Sequence, residues 1–527
     1  MPPQPPSNSY DDIPYDSHPY PQTHPSRLCT VATLFGLSPT PIERCRVLEL
    51  GAAAGGNLIP IAETSPDSRF VGIDLSARQV SDGERLVEAL GLTNIELRHI
   101  SITDVDDSFG AFDYIICHGV FSWVPVAVRA KILDICARRL TPNGVAYVSY
   151  NTYPGWHVRG MIRDMMQYHA MRFEEPRQRL DQARALLDFL ARSARADGPY
   201  PAILKTEQER LRHQGDHYLF HEHLEEVNDP LYFHQFVGMA AEHGLRYLGE
   251  ARIETMIPGN FGPEVQKTLA SMAADQIQTE QYLDFLRNRT FRETLLVPAQ
   301  TTPDWEIHPD RIRGLHIASE GKPAGKRAPD IRSHSLVDYR TRSGMGLSTS
   351  QPLLKAAMQV LGDRWPGTIP FAELLSSART LLGRIPGGAA EEEDARTLAG
   401  NLVNTYVSSD LTELYSSPIS LPREVSERPV ALGSARAQVA AGATAVANRR
   451  HTLVKLTDVD QRLVPLLDGT RDRSELLEHL TTQVVGGGLQ IQRDGKPLSD
   501  PAAIRTALAP VLGRALISLA ENALLVG

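Results

Sequence analysis

The sequence predicts an α/β fold: a doubly wound, mostly parallel sheet with helical insertions, followed by two smaller α+β modules. Three observations carry that prediction. Between residues 45 and 150, short apolar runs alternate with stretches whose apolar residues recur at three- and four-residue steps. This is the pattern of a parallel sheet covered by helices on both faces. The first run, Arg46-Val47-Leu48-Glu49-Leu50, breaks into a loop of small residues, Gly51-Ala52-Ala53-Ala54-Gly55-Gly56, before a helical pattern opens at Asn57. Beyond residue 335 the alternation gives way to helix sets with strand-like margins.

Composition bounds the rest. A chain of 527 residues suggests about two to four domains. With 54 basic against 63 acidic side chains and a net charge of −9, a nucleic-acid partner is not expected. The start, Met1-Pro2-Pro3-Gln4-Pro5-Pro6, lacks the basic and apolar parts of a signal peptide. No apolar run is read as membrane-spanning, so a cytoplasmic protein is expected. Cys29, Cys45, Cys117 and Cys136 have no metal-ligand or redox spacing, so no metal and no iron–sulfur cluster is expected.

Taken in order, residues 1–9 read as disordered, and residues 10–25 are dense in Tyr, His and Pro. Prolines keep such a segment extended. It reads as an arm that either packs on the core or closes over the ligand site, and Tyr20 and His24 are its candidate contacts to the reaction centre. A helix over 26–37, apolar at Leu28, Val31, Leu34 and Phe35, completes a unit of residues 1–44. The core, 45–157, has strands near 46–50, 70–74, 95–99, 112–117 and 144–150, and helices near 57–64, 76–90 and 126–140. Asn143-Gly144 reads as the turn into the fifth strand. Residues 158–228 read as a helical insertion whose stripe Leu180, Ala183, Leu187 and Leu190 suits a core or a homodimer contact. Residues 229–300 resume the sheet, with a helix at 231–243, a strand at 245–253 and a last strand at 291–297. The sheet is therefore expected to be complete near residue 300, so a fragment ending in the Gly/Lys/Pro-rich loop at 319–330 should keep its ligand. A linker, 301–334, then leads to modules at 335–427 and 428–527. Three helices with a small hairpin make each winged-helix-like. Such modules bind nucleic acid or protein, and without concentrated positive charge protein binding or dimerisation is favoured.

A strand, a loop of small residues and a helix open a Rossmann-like unit, whose ligands bind at the carboxyl ends of the strands. A dinucleotide site would place glycine where Ala53 stands, and Glu49 would repel phosphate but suits a cation. Asp74, about twenty residues past the loop, is placed to receive both hydroxyls of a ribose. S-adenosylmethionine has a ribose, a sulfonium and an ammonium group, and no phosphate. Glu49, Gly51, Ala53, Gly55, Asn57, Asp74, Leu75, Ser101, Ile102 and His118 are the candidate cofactor residues. After the third strand, where an acid would receive the adenine amino group, the chain reads Ser101-Ile102-Thr103-Asp104, so Ser101 or the backbone takes that place. After the fourth strand, Cys117-His118-Gly119-Val120-Phe121-Ser122-Trp123 lacks the Asn/Asp-Pro-Pro-aromatic tetrad of enzymes that methylate bases. After the fifth, Tyr150-Asn151-Thr152-Tyr153-Pro154-Gly155-Trp156-His157 reads as a plugged loop or as an aromatic lining for an acceptor amine.

The glycine loop with Glu49 and Asp74 resembles motifs I and II of class I methyltransferases. The wider pattern adds Tyr15-Asp16-Ser17-His18-Pro19-Tyr20, the aromatic loop and Tyr282-Leu283-Asp284-Phe285-Leu286-Arg287-Asn288-Arg289. Together these resemble bacterial methyltransferases with a methyltransferase regulatory domain, among them lysine methyltransferases of outer-membrane proteins. The resemblance implies a Rossmann-like cofactor domain, an attached dimerisation region and a protein lysine, of an outer-membrane or envelope protein, as acceptor. Tyr20, Tyr153 and Trp156 are candidate acceptor walls, and His24, His118 or His157 a candidate proton acceptor or orienter. A small-molecule N- or O-methyltransferase and a cofactor-binding scaffold without turnover are the alternatives.

Overall fold

In the computed structural model, which describes residues 17–527 apart from 196, 326, 410, 494, 495 and 499, seven strands form one sheet in the order β3-β2-β1-β4-β5-β7-β6. These are β1 (Arg46–Leu50), β2 (Arg69–Asp74), β3 (Ile95–His99), β4 (Phe112–Cys117), β5 (Leu140–Asn151), β6 (Leu245–Glu250) and β7 (Phe291–Pro298). The first five run parallel, and β7 lies antiparallel between β5 and β6. The chain order reverses between β1 and β4, which opens a crevice at the carboxyl ends of the strands. The anticipated disorder at 1–9 and the arm residues before Ser17 lie outside the described residues. The fifth strand departs from its predicted start. It begins at Leu140 and runs through Asn143-Gly144 without a break, and the extra length is taken up by a register shift opposite Phe112 and Tyr114.

Strand alternation sorts the core into two layers. Val47, Tyr114 and Tyr147 face helices Pro25–Leu34, Leu58–Thr64 and Ala77–Ala89. Leu48, Ile115 and Val148 face helices Val126–Arg139 and Phe233–Glu242. The insertion, with helices Gly155–Ala170, Pro176–Ser193, Tyr200–Arg212 and Asp216–His223, buries a separate cluster that takes in Leu180, Ala183 and Leu187 of the anticipated stripe.

The expected linker is not one. Strand His316–Ala318 is the centre of a three-stranded sheet, flanked by Ile369–Pro370 and Glu413–Tyr415. Its Ile317 belongs to the same apolar cluster as Val47, Leu353, Leu374 and Leu398. The middle module therefore continues the sheet's first core layer instead of sitting beyond a tether. Arg311 Nη1 donates to Leu34 O at 2.7 Å, and Ser416 N donates to Ser26 Oγ at 3.1 Å. A chain cut at 319–330 would lose that layer, so, contrary to the sequence expectation, such a fragment should not keep its ligand.

The last module packs its own core from helices Gly433–Ala440, Asp458–Leu463, Arg473–Val485 and Pro501–Glu521, with a small hairpin between the last two. Among the described residues, helix Pro501–Glu521 is long and apolar enough to cross a membrane by length and composition, which the sequence reading passed over. In the module one of its faces, Ile504, Leu508, Leu512, Leu516 and Leu519, is buried.

A charged network ties the helix Gln276–Arg287 to the sheet. Fully buried Arg292 donates to Asp284 Oδ2 at 2.8 Å, Glu250 Oε1 at 2.7 Å and Glu280 Oε2 at 3.1 Å, while Arg289 donates to Glu250 Oε2 at 2.9 Å. Burial acts to raise the Glu250 carboxyl, and Arg292 with Arg289 overcomes it and holds that group below its ordinary value. Burial lifts Glu280 to about 7.

Candidate active site

The loop after β1 gets its shape from backbone bonds that small residues allow. Gly51 N and Ala52 N both donate to Ile73 O at 2.9 Å, and Gly51 holds φ +80°. A Cβ at Gly51 would lie 2.5 Å from Val120 Cγ2, so both the space and the backbone require glycine. Ala53, where a dinucleotide fold would have glycine, holds φ 49°, a left-handed conformation that costs a side chain of the order of 1 kcal/mol or more. Asp74 holds it there: its Oδ2 accepts from Ala53 N at 2.8 Å and its Oδ1 from Ser76 N at 2.9 Å. The carboxylate stands at the carboxyl end of β2, half-buried.

Glu49 lies beneath the loop, 3% exposed. Its Oε1 accepts from Asn57 Nδ2 at 2.8 Å, while Oε2 is buried with no hydrogen-bond partner among the described residues. Burial raises this carboxyl to about 8 against the pull of the Asn57 bond, and the nearby Asp74 charge adds to the rise. An orphaned acid oxygen of this kind fits a cationic ligand group.

The arm lies across the loop. Ser17 Oγ accepts from Gly56 N at 2.8 Å, and a Cβ at Gly56 would collide with the Ser17 backbone. Tyr20 N donates to Asn57 Oδ1 at 2.9 Å. The Tyr20 ring sits 3.9 Å from the His118 ring, whose Nδ1 lies 2.9 Å from the Tyr147 hydroxyl, with Phe291 edge-on at 6.0 Å. Burial pushes His118 down to about 3, so the ring is neutral at physiological pH. Tyr20 and His118 thus make an uncharged aromatic wall, backed by the fully buried Tyr147.

The other sequence candidates are spread more widely. Leu75 projects from the end of β2, 59% exposed. Ser101 caps the following 3-10 turn, accepting from Thr103 N at 3.2 Å, and Ile102 packs against the second core layer. Gly55 turns the loop into the helix with φ +74°. His24 is no proton acceptor. Its Nδ1 caps helix Pro25–Leu34 by accepting from Ser26 N at 3.2 Å, and burial, helped by Arg449, holds it near 3. Tyr153 stacks on exposed His157 at 4.1 Å, and His157 Nε2 is 3.1 Å from the Tyr232 hydroxyl. Trp156 does not line an opening. It is 1% exposed and packs edge-on to Trp123 at 6.2 Å. Trp156→Ala is accordingly expected to destabilise the fold by about 3–5 kcal/mol, seen as a lowered melting temperature, and not to cut turnover at a retained melting temperature.

Several site residues escaped the sequence reading. Thr23, Tyr147 and Phe291 sit in an arm and in strands whose pattern announces only burial. His451 lies in the last module, yet its Nε2 is 2.8 Å from Asn57 Oδ1. No local signal marks it apart from the positive φ of 60° that the structure reveals. A separate cavity of about 310 Å³ lies between the core and the later modules, lined by Arg27, Arg449, Arg450, Thr64 and Asp67. Its three guanidinium groups are matched by the carboxylates of Glu43, Asp67 and Glu413, and neither Glu49, Asp74 nor the Gly51–Gly56 loop is among its lining residues.

Three family models match the chain: "Methyltransferase domain" over 48–146, "Predicted methyltransferase regulatory domain" over 215–298, and "PKMT, C-terminal winged helix domain" over 427–524. The uncharacterized protein RP789 of Rickettsia prowazekii is 37% identical over 525 residues, covering 98% of this chain and 94% of that one. The structure of PKMT2 from Rickettsia typhi is similar at a TM-score of 0.87 with 29% identity, over 97% of this chain and all 100% of that one. The same protein in complex with AdoHcy gives a TM-score of 0.86 and 30% identity, over 98% and 100% of the two chains. The cofactor is therefore S-adenosylmethionine, and the donor set around Glu49 and Asp74 fits its charge. Sharing sequence and fold with these proteins along almost its whole length, the chain belongs to the S-adenosylmethionine-dependent methyltransferases that join a methyltransferase regulatory domain to a PKMT C-terminal winged helix domain.

Proposed function

We propose that the protein methylates the side-chain amine of a lysine in an acceptor protein, in the cytoplasm, and that the acceptor is a protein of the outer membrane or envelope. The observation that carries this reading is the full-length likeness to PKMT2, winged helix included, since PKMT abbreviates protein lysine methyltransferase. The bound cofactor supplies an electrophilic methyl group on a sulfonium. Toward it, Glu49 offers its orphaned oxygen to the cationic end, Asp74 its carboxylate to the ribose hydroxyls, and Leu75, Ser101 and Ile102 a rim for the adenine. Gly51, Ala53 and Gly55 let the backbone come close.

Transfer to an amine needs alignment and a neutral nucleophile more than a strong acid. The wall of Tyr20 and His118, backed by buried Tyr147, supports that chemistry, because an uncharged lining lowers a lysine pKa by desolvation. His118, held near 3, orients instead of taking the proton. On this reading the amine sheds its proton to solvent before it is enclosed.

Incubation with labelled S-adenosylmethionine and cell-envelope fractions, followed by mass spectrometry, tests the reading. Label on protein lysines is the expected result. Label on a metabolite would replace it with a small-molecule methyltransferase. Cofactor binding without transfer to any fraction would leave a scaffold.

A further inference from the structure

Among the described residues, the winged-helix domain meets the cofactor loop at one hydrogen bond, from His451 to Asn57, and its chemistry is specific. Asn57 Oδ1 must accept, because one of its neighbours is Tyr20 N, which can only donate. His451 Nε2, 2.8 Å from the same oxygen, therefore carries its proton and donates as well. With the carbonyl side facing these two donors and the Thr23 hydroxyl at 3.2 Å, Nδ2 donates to Thr23 Oγ1 at 2.9 Å and to Glu49 Oε1 at 2.8 Å, and the bond to Glu49 is the contact that pulls that carboxyl down against burial. The domain carrying His451 is clamped in place beside it. Glu63 Oε1 and Oε2 accept from Gly433 N at 2.6 Å and Ser434 N at 3.0 Å, at the start of helix Gly433–Ala440. His451 is buried and holds a left-handed backbone, φ 60°. The strain falls on the residue that, among the described residues of the module, reaches the cofactor loop with a side-chain donor.

We infer that His451 is a positioning residue for Glu49, acting through the Asn57 amide, so that the seating of the winged-helix domain sets the affinity of the cofactor site. The inference rests on the reading that Glu49 receives the cationic end of the cofactor. Around Glu49 the other titratable groups are Asp74 at the end of β2 and the buried Cys117 thiol at the end of β4. Around His451 they are the His24 ring at 5.2 Å, itself facing Arg449. None of these supplies the donor that Asn57 gives.

The sign of the pH dependence follows. In the free protein the Glu49 carboxyl is protonated below about 8, and a cation binds its ionised form. Affinity therefore rises with pH and levels off near 8. Losing the His451 donor leaves the Asn57 amide to Tyr20 N and Thr23, weakens its bond to Glu49, and moves that levelling to higher pH.

The test is calorimetry of the full chain with S-adenosylmethionine between pH 6 and 9. His451→Ala should weaken binding about fivefold at pH 7 and shift the profile upward. His451→Gln, whose amide nitrogen replaces Nε2 with the same backbone strain, should stay near the parent. Glu49→Gln, lacking the carboxyl, should bind more weakly and keep only the titration of the ligand itself. A His451→Ala protein with the parental affinity and profile, even at a lowered melting temperature, overturns the inference and leaves His451 as a packing contact. A Glu49→Gln protein with parental affinity overturns the placement of the cofactor against Glu49 instead.

Discussion

Asp74→Ala lowers the affinity for S-adenosylmethionine at least tenfold, as read by calorimetry, with the fold retained. The carboxylate is the group at the end of β2 that can receive both ribose hydroxyls, and each charge-assisted bond is worth about 1.5–3 kcal/mol. Asp74 also anchors the loop through Ala53 N and Ser76 N, so its loss releases a left-handed alanine that has no reason to stay in place. Asp74→Asn separates the two effects. It keeps one acceptor for the backbone but loses the charge that binds the ribose, so most of the deficit should remain. Parental affinity in both variants would mean that the ribose lies elsewhere.

A loss of stability as large as that of Trp156→Ala falls on Arg292. Arg292→Met leaves Glu250, Glu280 and Asp284 buried around an apolar side chain, with Arg289 left to pair with Glu250 and Asp284. Breaking a buried pair from one side costs about 3–5 kcal/mol, and denaturant unfolding should show a loss of that size. The exposed pair Arg212–Glu209 provides the contrast. Removing it should change stability by less than about 1 kcal/mol. If the two variants lose equally little, the network does not hold the helix Gln276–Arg287 to the sheet.

The parts of this molecule that were legible in its sequence are those whose physics is local. Strand alternation, the helical period and the small residues from Gly51 to Gly56 placed every strand of the large sheet within a few residues, apart from the start of β5. There the strand continues through Asn143-Gly144 because the ladder opposite it absorbs the extra length, which no local pattern announces. Glu49 and Asp74 stand out in the sequence because an acid at a strand end has few structural excuses, and the structure sets both against the glycine loop and its helix. Trp156 and His24 were misjudged for the same reason as each other. An aromatic or a histidine in a Pro-rich loop looks functional, while only tertiary packing reveals that one fills a core and the other caps a helix. The middle module was taken for an appendage because residues 301–334 look like a linker. The strand His316–Ala318 hidden in them is three residues long, too short to show a period. His451 and Asn57 are 394 positions apart, and nothing but the fold joins them.

The most direct measurement is a crystal structure of the full chain with AdoHcy. The account predicts the ammonium group within hydrogen-bonding distance of Glu49 Oε2, the ribose hydroxyls on the Asp74 carboxylate, and Asn57 still bonded to His451. Density for the ligand in the arginine-lined cavity by Arg449, or a Glu49 carboxyl still without a partner beside a bound ligand, would contradict it.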